Sequence, residues 1–562
     1  MSSFTQKQKI VFLLLITLLT ISVFGLLWKV NSTFMIKVPV KGGSLTEGIV
    51  GIPRFVNPLF VISDADRDVT SLIYSGLLRA TKNGKLIPDL AKSYEVSDNG
   101  LNYRFILKDN LVWQDGNPIT VDDIIFTIQK TQDPSLRSVK RANWDGVTVE
   151  KINDKEILFT LERPYTPFLE NTTMGILPKH IWKDVSTEQF GFSVKPIGSG
   201  PYKVVAIKKD SEEIPKYYDL TPFKKYALGE PYISKLRIRF YSNTEDLLTA
   251  FNNNQIESIN SISPKSAKEL SSKGYRVENT TFPRVFGVFF NQNQAKIFTN
   301  KTVRKALNVA INKKDIINKV LYGYATVINS PIPPGALGYE GVVNNDEFSS
   351  PKERISYAKG LLEANGWKFD EEKKVMTKEI KKKKTELAFS ISTSEVPELK
   401  AVAEILKKQW EKIGARVTVK IFEEGSLKQN VIRPRKYDSL LFGEIIGRDS
   451  DLFAFWHSSQ RLDPGLNIAL YANITVDKLL EDAREITSTK ERIKKYKLFQ
   501  EEIKNDIPAV FLYSPNFIYV LPKKIKGVEL QSATTPSERF LSITDWYIET
   551  DNVWKIFVKN NQ

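Results

Sequence analysis

Residues 387–421 read LAFSISTSEVPELKAVAEILKKQWEKIGARVTVKI. The stretch opens on LAFSI (387–391), an apolar run of strand length. Leu399, Val402, Ala403, Leu406, Trp410 and Ile413 then recur at helical spacing, so they share one face of a helix. Gly414 ends that helix, because glycine takes the left-handed closing conformation without steric cost. ARVTVKI (415–421) returns with strand alternation. A strand, a helix of this length and a second strand imply a right-handed parallel crossover, and so an α/β fold.

The same pattern extends in both directions. C-terminally, YDSLLF (437–442) predicts a strand, and helices fit 475–486 and 489–505. Ile493, Tyr496, Phe499 and Ile503 share a face of the second helix; Pro508 ends it, and AVFLY (509–513) reads as a strand. Towards the N-terminus, VFGVFF (285–290) predicts a strand, followed by a helix that gathers Val303, Ala306, Leu307, Ala310 and Ile311. Strand-like stretches recur at 45–49, 103–107, 156–161 and 235–241. Val69, Leu72, Ile73 and Leu77 predict a buried-face helix over 68–79. Thr120 with Asp123 three residues on is a capping box, with acids at the positive end of the helix that follows. Lys381 to Lys384 form the one dense basic cluster and read as a hairpin tip or surface loop. No short internal repeat is present.

Composition bounds the function. A chain of 562 residues needs two or three cores. Hydrophobic residues at 41% and charged residues at 26% are ordinary for globular domains. The net charge of +16 would suit nucleic acid or an anionic membrane, but the basic residues are dispersed among acids, which favours a solvated surface. With no cysteine, disulfides, thiolate metal sites, Cys nucleophiles and an acylated lipoprotein anchor are excluded. His180 and His457 are the only histidines, too few for a histidine zinc site. P-loop, G-x-G-x-x-G, H-E-x-x-H and G-x-S-x-G motifs are absent, and GSGP (198–201) has no basic residue in a Walker position. His457 lies too near its serines in sequence for a Ser/His pair to carry weight. No catalytic group, metal or cofactor is therefore expected.

Lys7 and Lys9 precede an uncharged apolar run from Ile10 to Trp28, roughly 28 Å long as a helix. A cleaved signal peptide and a retained anchor compete for this segment. The run exceeds a usual signal core and no small-x-small cleavage pattern follows, which favours a single-span anchor with the bulk of the chain extracytoplasmic. The basic flank favours a cytoplasmic N-terminus (1–9), with 10–28 as the span and 29–43 as a linker.

Several motifs, in order, resemble the large extracellular solute-binding proteins of family 5, typified by oligopeptide-, dipeptide- and nickel-binding members. They begin with Asn57-Pro58-Leu59, LIYSGLLR (72–79) and IPDLAKSYEVSDNGLNYRFILKDNLVWQDGNPITVDDIIFTI (87–128). LPKH (177–180), GSGPY (198–202), FFNQN (289–293), VRKALNVAINKKDII (303–317), YAKGLLEANGW (357–367) and WEKIGARVTV (410–419) follow. YDSLLFGE (437–444), YANITVDKLLEDAR (471–484) and IPAVFLYSP (507–515) complete the series. Departures are the missing Cys anchor, Val121-Asp122-Asp123-Ile124 where Ala-x-Asp-Val is usual, and GEIIGRDSD in place of a Trp-x-x-Asp run.

The resemblance implies a two-lobed periplasmic-binding-protein-like fold of type II. Lobe I would comprise 40–82, 197–285 and 527–562, with an extra subdomain at 83–196; lobe II would be 286–526. It further implies a monomeric ABC-importer component that captures a peptide between closing lobes and hands it to a permease. A nickel complex, haem or oligosaccharide on the same fold is the alternative solute. A nucleic-acid-binding surface protein and a surface hydrolase are alternatives of other classes. In peptide-binding members the ligand lies as an added strand and an acid of the second lobe pairs with its α-ammonium. Carried over, that acid is Asp449, with Asp451 second. Arg448 would pair with a ligand carboxylate or neutralise Asp449. The strand edges would be Ile52, Pro53, Arg54 and Phe55 on one side and Phe442, Gly443, Glu444, Ile445 and Ile446 on the other. Tyr74 and Trp456 are candidate cleft aromatics, with core packing as the competing reading. Arg304 reads as a structural ion-pairing residue.

Overall fold

The computed structural model describes residues 5–81, 83–190, 196–341, 348 and 350–555. The 387–421 stretch folds as its periodicity dictates. Strand Ala388–Ser394 leads through helix Pro397–Glu411 to strand Arg416–Phe422, with the strands parallel and Ala388 opposite Arg416. Gly414 takes φ +83°, and Leu406, Trp410 and Ile413 are buried.

This unit forms one edge of a 12-stranded sheet that runs through both lobes. The order continues through Ser439–Ile445, Arg284–Phe290, Ala509–Leu521, Ser258–Asn260, Gly42–Val50, Ile233–Tyr241, Pro215–Pro222 and Tyr202–Lys209. Ala509–Leu521 joins the lobes. Its first half pairs with Arg284–Phe290 and its second half with Arg276–Thr281 (Asn516 opposite Thr281). The chain therefore crosses between lobes twice, at 282–283 and within 509–521. Phe517, Tyr519, Leu521 and Ile525 pack in the core of the first lobe with Leu45, Leu236 and Trp546. The boundary expected at residue 526 thus falls earlier, inside a strand whose continuous apolar run hid the crossing. The second lobe buries apolar residues on both faces of its sheet, Val288 and Leu441 on one and Phe289 and Leu440 on the other. A separate antiparallel sheet (Ala91–Val96, Asn102–Leu107, Glu156–Leu161, Val147–Asn153) closes its own core over Val121–Gln132.

Local expectations meet three corrections. The helix over 68–79 is Asp64–Ile73, started by a capping box of Ser63 and Asp66; it stops at Tyr74, and Leu77 is buried in the extended segment beyond. Ile493 is 41% exposed while Tyr496, Phe499 and Ile503 are buried, so its spacing leads to the rim of the helix face. Residues 29–43 are not a linker. Helix Gln6–Phe34 runs on without a break into strand Met35–Pro39, which pairs with Thr550–Trp554. Lys381 and Lys382 form the tip of a tight hairpin, both at positive φ.

Candidate functional site

The first lobe builds its cleft wall on the helix 64–73 and the GSGPY turn. A Cβ on Gly198 would stand 2.0 Å from the Ile73 carbonyl oxygen, so only glycine lets the turn pack against that helix end. Gly200 N–H donates to the same oxygen at 2.7 Å. Asp66, itself 1% exposed, accepts the backbone N–H groups of Arg54 (2.7 Å) and Phe55 (3.0 Å). Beneath lies a fully buried ionic cluster. Arg539 donates to both oxygens of Asp68 (2.7 and 2.8 Å) and to Glu47 (2.7 Å), and Tyr519 Oη donates to Glu47 at 2.6 Å. Burial pushes the Asp68 carboxyl up to about 6 against the pull of Arg539.

The second lobe contributes strand Ser439–Ile445 and the turn after it. One edge of that strand is paired along its length with Arg284–Phe290. The other edge pairs only at Ser439 and Leu440, and Thr393 Oγ1 donates to the Leu441 carbonyl. From Phe442 onward that edge has no strand partner among the described residues. Ile446 N–H donates to Pro283 O at 3.0 Å, so its amide is taken. Glu444 is 4% exposed and neither carboxylate oxygen has a hydrogen-bond partner among the described residues; desolvation drives its pKa well above the carboxylate range.

Between the walls lies a cavity of about 510 Å³, in the size range of ligand pockets. Tyr74, Arg79, Glu170 and Glu538 line one side, Arg448 and Asp449 the other. Asp449 Oδ1 accepts from Arg492 Nη2 at 2.6 Å, and no hydrogen bond occupies Oδ2 among the described residues. Burial raises the Asp449 pKa, opposed by Arg492. Asp451, also on the cavity, is saturated: Arg484 grips it with two bonds (2.9 and 2.8 Å), Tyr165 Oη donates at 3.1 Å, and the Phe453 amide at 3.3 Å. Arg448 reaches across the cleft to Glu538 (2.6 Å) and Glu170 (3.4 Å). Desolvation raises Glu170 to about 6 despite this cation.

Of the residues expected at the site, the structure brings Asp449, Asp451, Arg448 and Tyr74 to the cavity; Phe442, Gly443, Glu444, Ile445 and Ile446 lie on the strand that leads to it or just after that strand, and do not line it. Arg448 does not neutralise Asp449; Arg492 does, from a helix 43 residues on. Tyr74 is 5% exposed and its Oη donates to Val56 O at 3.3 Å, so it is part of the wall and largely core. Ile52, Pro53, Arg54 and Phe55 are not a strand edge. The strand ends at Val50, Pro53 has no N–H, and Asp66 holds the next two amides. Trp456 is fully buried among Phe289, Tyr471, Phe499 and Phe511, which decides it as core. Arg304 caps carbonyls of Asp506, Ile507 and Phe298 and forms no ion pair among the described residues.

Several cavity residues escaped the sequence reading, Arg79, Glu170 and Glu538 among them, and two more carry unsatisfied charge or polarity. Lys140 lines the cavity with no acid within ion-pairing distance among the described residues; desolvation and then neighbouring Arg67 lower its pKa. Asp89 is 3% exposed with Oδ1 unpartnered, and burial raises its pKa against Arg79 and Lys108. Neither stands in a pattern that distinguishes it from a surface residue. His457 Nδ1 lies 2.7 Å from Ser459 Oγ and accepts the Ser459 amide at 3.1 Å, so this pair caps a short turn. Among the described residues no group of three or more His, Asp or Glu is placed to hold a metal ion.

Comparison with known proteins agrees with this geometry. The model of the bacterial extracellular solute-binding proteins, family 5 (middle), matches residues 85–461. The oligopeptide-binding protein AppA of Bacillus subtilis is 27% identical over 520 residues, 91% of this chain and 92% of AppA. The structure of that protein in complex with a nonapeptide superposes with a TM-score of 0.68 at 26% identity, covering 91% of this chain and 100% of the other. NikZ of Campylobacter jejuni in complex with Ni(L-His) superposes with a TM-score of 0.70 at 27% identity, covering 90% and 99%.

Proposed function

The chain belongs to the family 5 bacterial extracellular solute-binding proteins, and from that premise we propose that it captures short peptides between its two lobes and delivers them to the permease of an ABC importer. The observation that carries the reading is the partly unpaired strand 439–445 beside Asp449. An extended peptide finds main-chain donors and acceptors on that edge, which read no side chains and so tolerate many sequences. The open Asp449 Oδ2 accepts the α-ammonium, and Lys140 is a cation on the cavity to which a ligand carboxylate can go. Two charge-assisted bonds of this kind contribute about 1.5–3 kcal/mol each. Peptide is favoured over other solutes because AppA, 27% identical, is named for oligopeptides and is solved with a nonapeptide. Closure follows when the ligand bonds both walls at once, so it binds the closed form more tightly than the open one.

In this reading the protein acts as a monomer, without catalysis, outside the cytoplasmic membrane. Helix Gln6–Phe34, whose mean hydropathy reaches 2.9, stays attached as its anchor. Native mass spectrometry of the protein purified from its own host tests the assignment. Bound masses matching peptides are expected; a nickel chelate, a haem or a sugar would replace the peptide reading with another solute on the same fold.

A further inference from the structure

The anchor helix does not hand over to a flexible tether. Helix Gln6–Phe34 passes directly into strand Met35–Pro39, and every residue of that strand is in register with Thr550–Trp554 (Met35 opposite Trp554, Pro39 opposite Thr550). The segment that follows the helix thus pairs with strand Thr550–Trp554 at the foot of the helix. Trp554 stacks on Phe34 with ring centroids 6.4 Å apart and planes at 18°, and its Nε1–H donates to Asn31 Oδ1 at 2.8 Å. The ribbon is tied to the first lobe at its other end. Val40 N–H donates to Glu549 O at 3.1 Å, Gly42 N–H donates to Tyr232 O at 2.9 Å, and Lys41 pairs with Glu230.

Distance along the helix places this junction. The apolar run to Trp28 fills a hydrocarbon core of about 30 Å, and the headgroup layer adds roughly 5–7 Å on each side. Phe34 stands six residues beyond Trp28, about 9 Å at 1.5 Å per residue. Trp28 therefore lies at the hydrocarbon edge, and Phe34 and Trp554 stand against the outer surface of the headgroups, about 2–4 Å beyond them; all three rings are substantially exposed (74%, 52% and 38%).

We propose that strand 550–554 is a clamp which turns the segment after the helix into a rigid stalk, with Trp554 against the outer surface of the headgroups. The first lobe is then held against a lipid bilayer in a fixed orientation, and opening and closing are movements of the second lobe. The proposal rests on the retained anchor of the previous section and adds the stalk to it.

The absence of cysteine makes the test clean. Pairs of spin labels on the full-length protein in phospholipid nanodiscs, at Ser32→Cys with Lys235→Cys on the first lobe and Ser32→Cys with Glu404→Cys on the second, report both distances. The 32–235 distribution is expected to be narrow and to broaden roughly twofold or more in Trp554→Ala, as a short free linker would allow. Trp554→Phe, which keeps the ring stack, should remain near the wild type. A mixture of short peptides should shift the 32–404 distance and leave 32–235 in place. A wild-type 32–235 distribution as broad as that of Trp554→Ala, with thermal unfolding unchanged, would overturn the clamp while leaving the anchor intact. Intact mass from native membranes lacking residues 1–34 would overturn clamp and anchor together.

Discussion

The core beneath the first wall and the lining of the cavity treat their polar groups in opposite ways. Deep in the first lobe the polar groups are settled internally: Asp66 holds the amides of Arg54 and Phe55, and Glu47, Asp68, Tyr519 and Arg539 satisfy one another at zero or near-zero exposure, whereas at the cavity Asp89 Oδ1 and Thr70 Oγ1 have no hydrogen-bond partner among the described residues. In the second lobe bonds are left unmade. Among the described residues the strand edge from Phe442 is unpaired, both Glu444 oxygens and Arg448 Nε lack partners, and Asp449 has one oxygen open. Buried polar groups are paired almost everywhere in folded proteins, so the unpaired ones at the cavity, Asp89 and Thr70 on the first wall and Arg448 on the second, mark where bonds can still be formed. The core beneath the first wall is a frame, and the open groups lie at the cavity.

Substitutions should divide along that line. The largest effect is expected at Arg539→Met, which strands the charges of Glu47 and Asp68 and should cost roughly 3–5 kcal/mol of stability in urea unfolding. A loss below about 1 kcal/mol would mean the first wall is not the rigid frame described. Asp449→Asn should instead weaken peptide binding by about 1.5–3 kcal/mol, roughly ten- to hundredfold in Kd by calorimetry. Part of any stability loss in that variant belongs to Arg492, so the comparison is with Arg492→Gln, which should unfold more easily yet bind better than Asp449→Asn.

Glu444 gives the pH dependence. Its folded pKa is raised, so the group favours folding below its unfolded value and opposes it as the pH rises towards neutrality. Glu444→Gln should therefore be more stable than wild type at pH 7, by on the order of 1–3 kcal/mol, and equal to it below the ordinary carboxylate range. Stability curves that stay parallel across that window would remove Glu444 from the unsettled set. The smallest effect belongs to Glu170→Gln. Arg448 keeps Glu538, so stability at pH 7 should change by no more than about 1 kcal/mol.

Much of this was legible in the chain. The crossover at 388–422 follows from helical and alternating periodicity, and the ordered motifs point to the family and to the strand before Asp449. What escaped depends on partners distant in sequence. Asp449 meets Arg492 across 43 residues, Arg448 meets Glu170 across 278, and Trp554 meets Asn31 across 523. Periodicity reports which face of an element is buried, and says nothing of what a charged side chain will find there. The stretch Ile52 to Phe55 failed for a local reason. Asp66 lies only eleven or twelve residues on, but its four amide contacts are set by the capping turn at Ser63 and not by any strand pattern.

Small-angle scattering on the full-length protein in detergent, with and without a defined mixture of free-acid peptides, tests the central claim. If the wall around Phe442 to Asp449 completes its bonds on a guest held against the first lobe, the radius of gyration falls as peptide saturates. Peptides that bind with wild-type affinity to Asp449→Asn and leave the radius unchanged would contradict it.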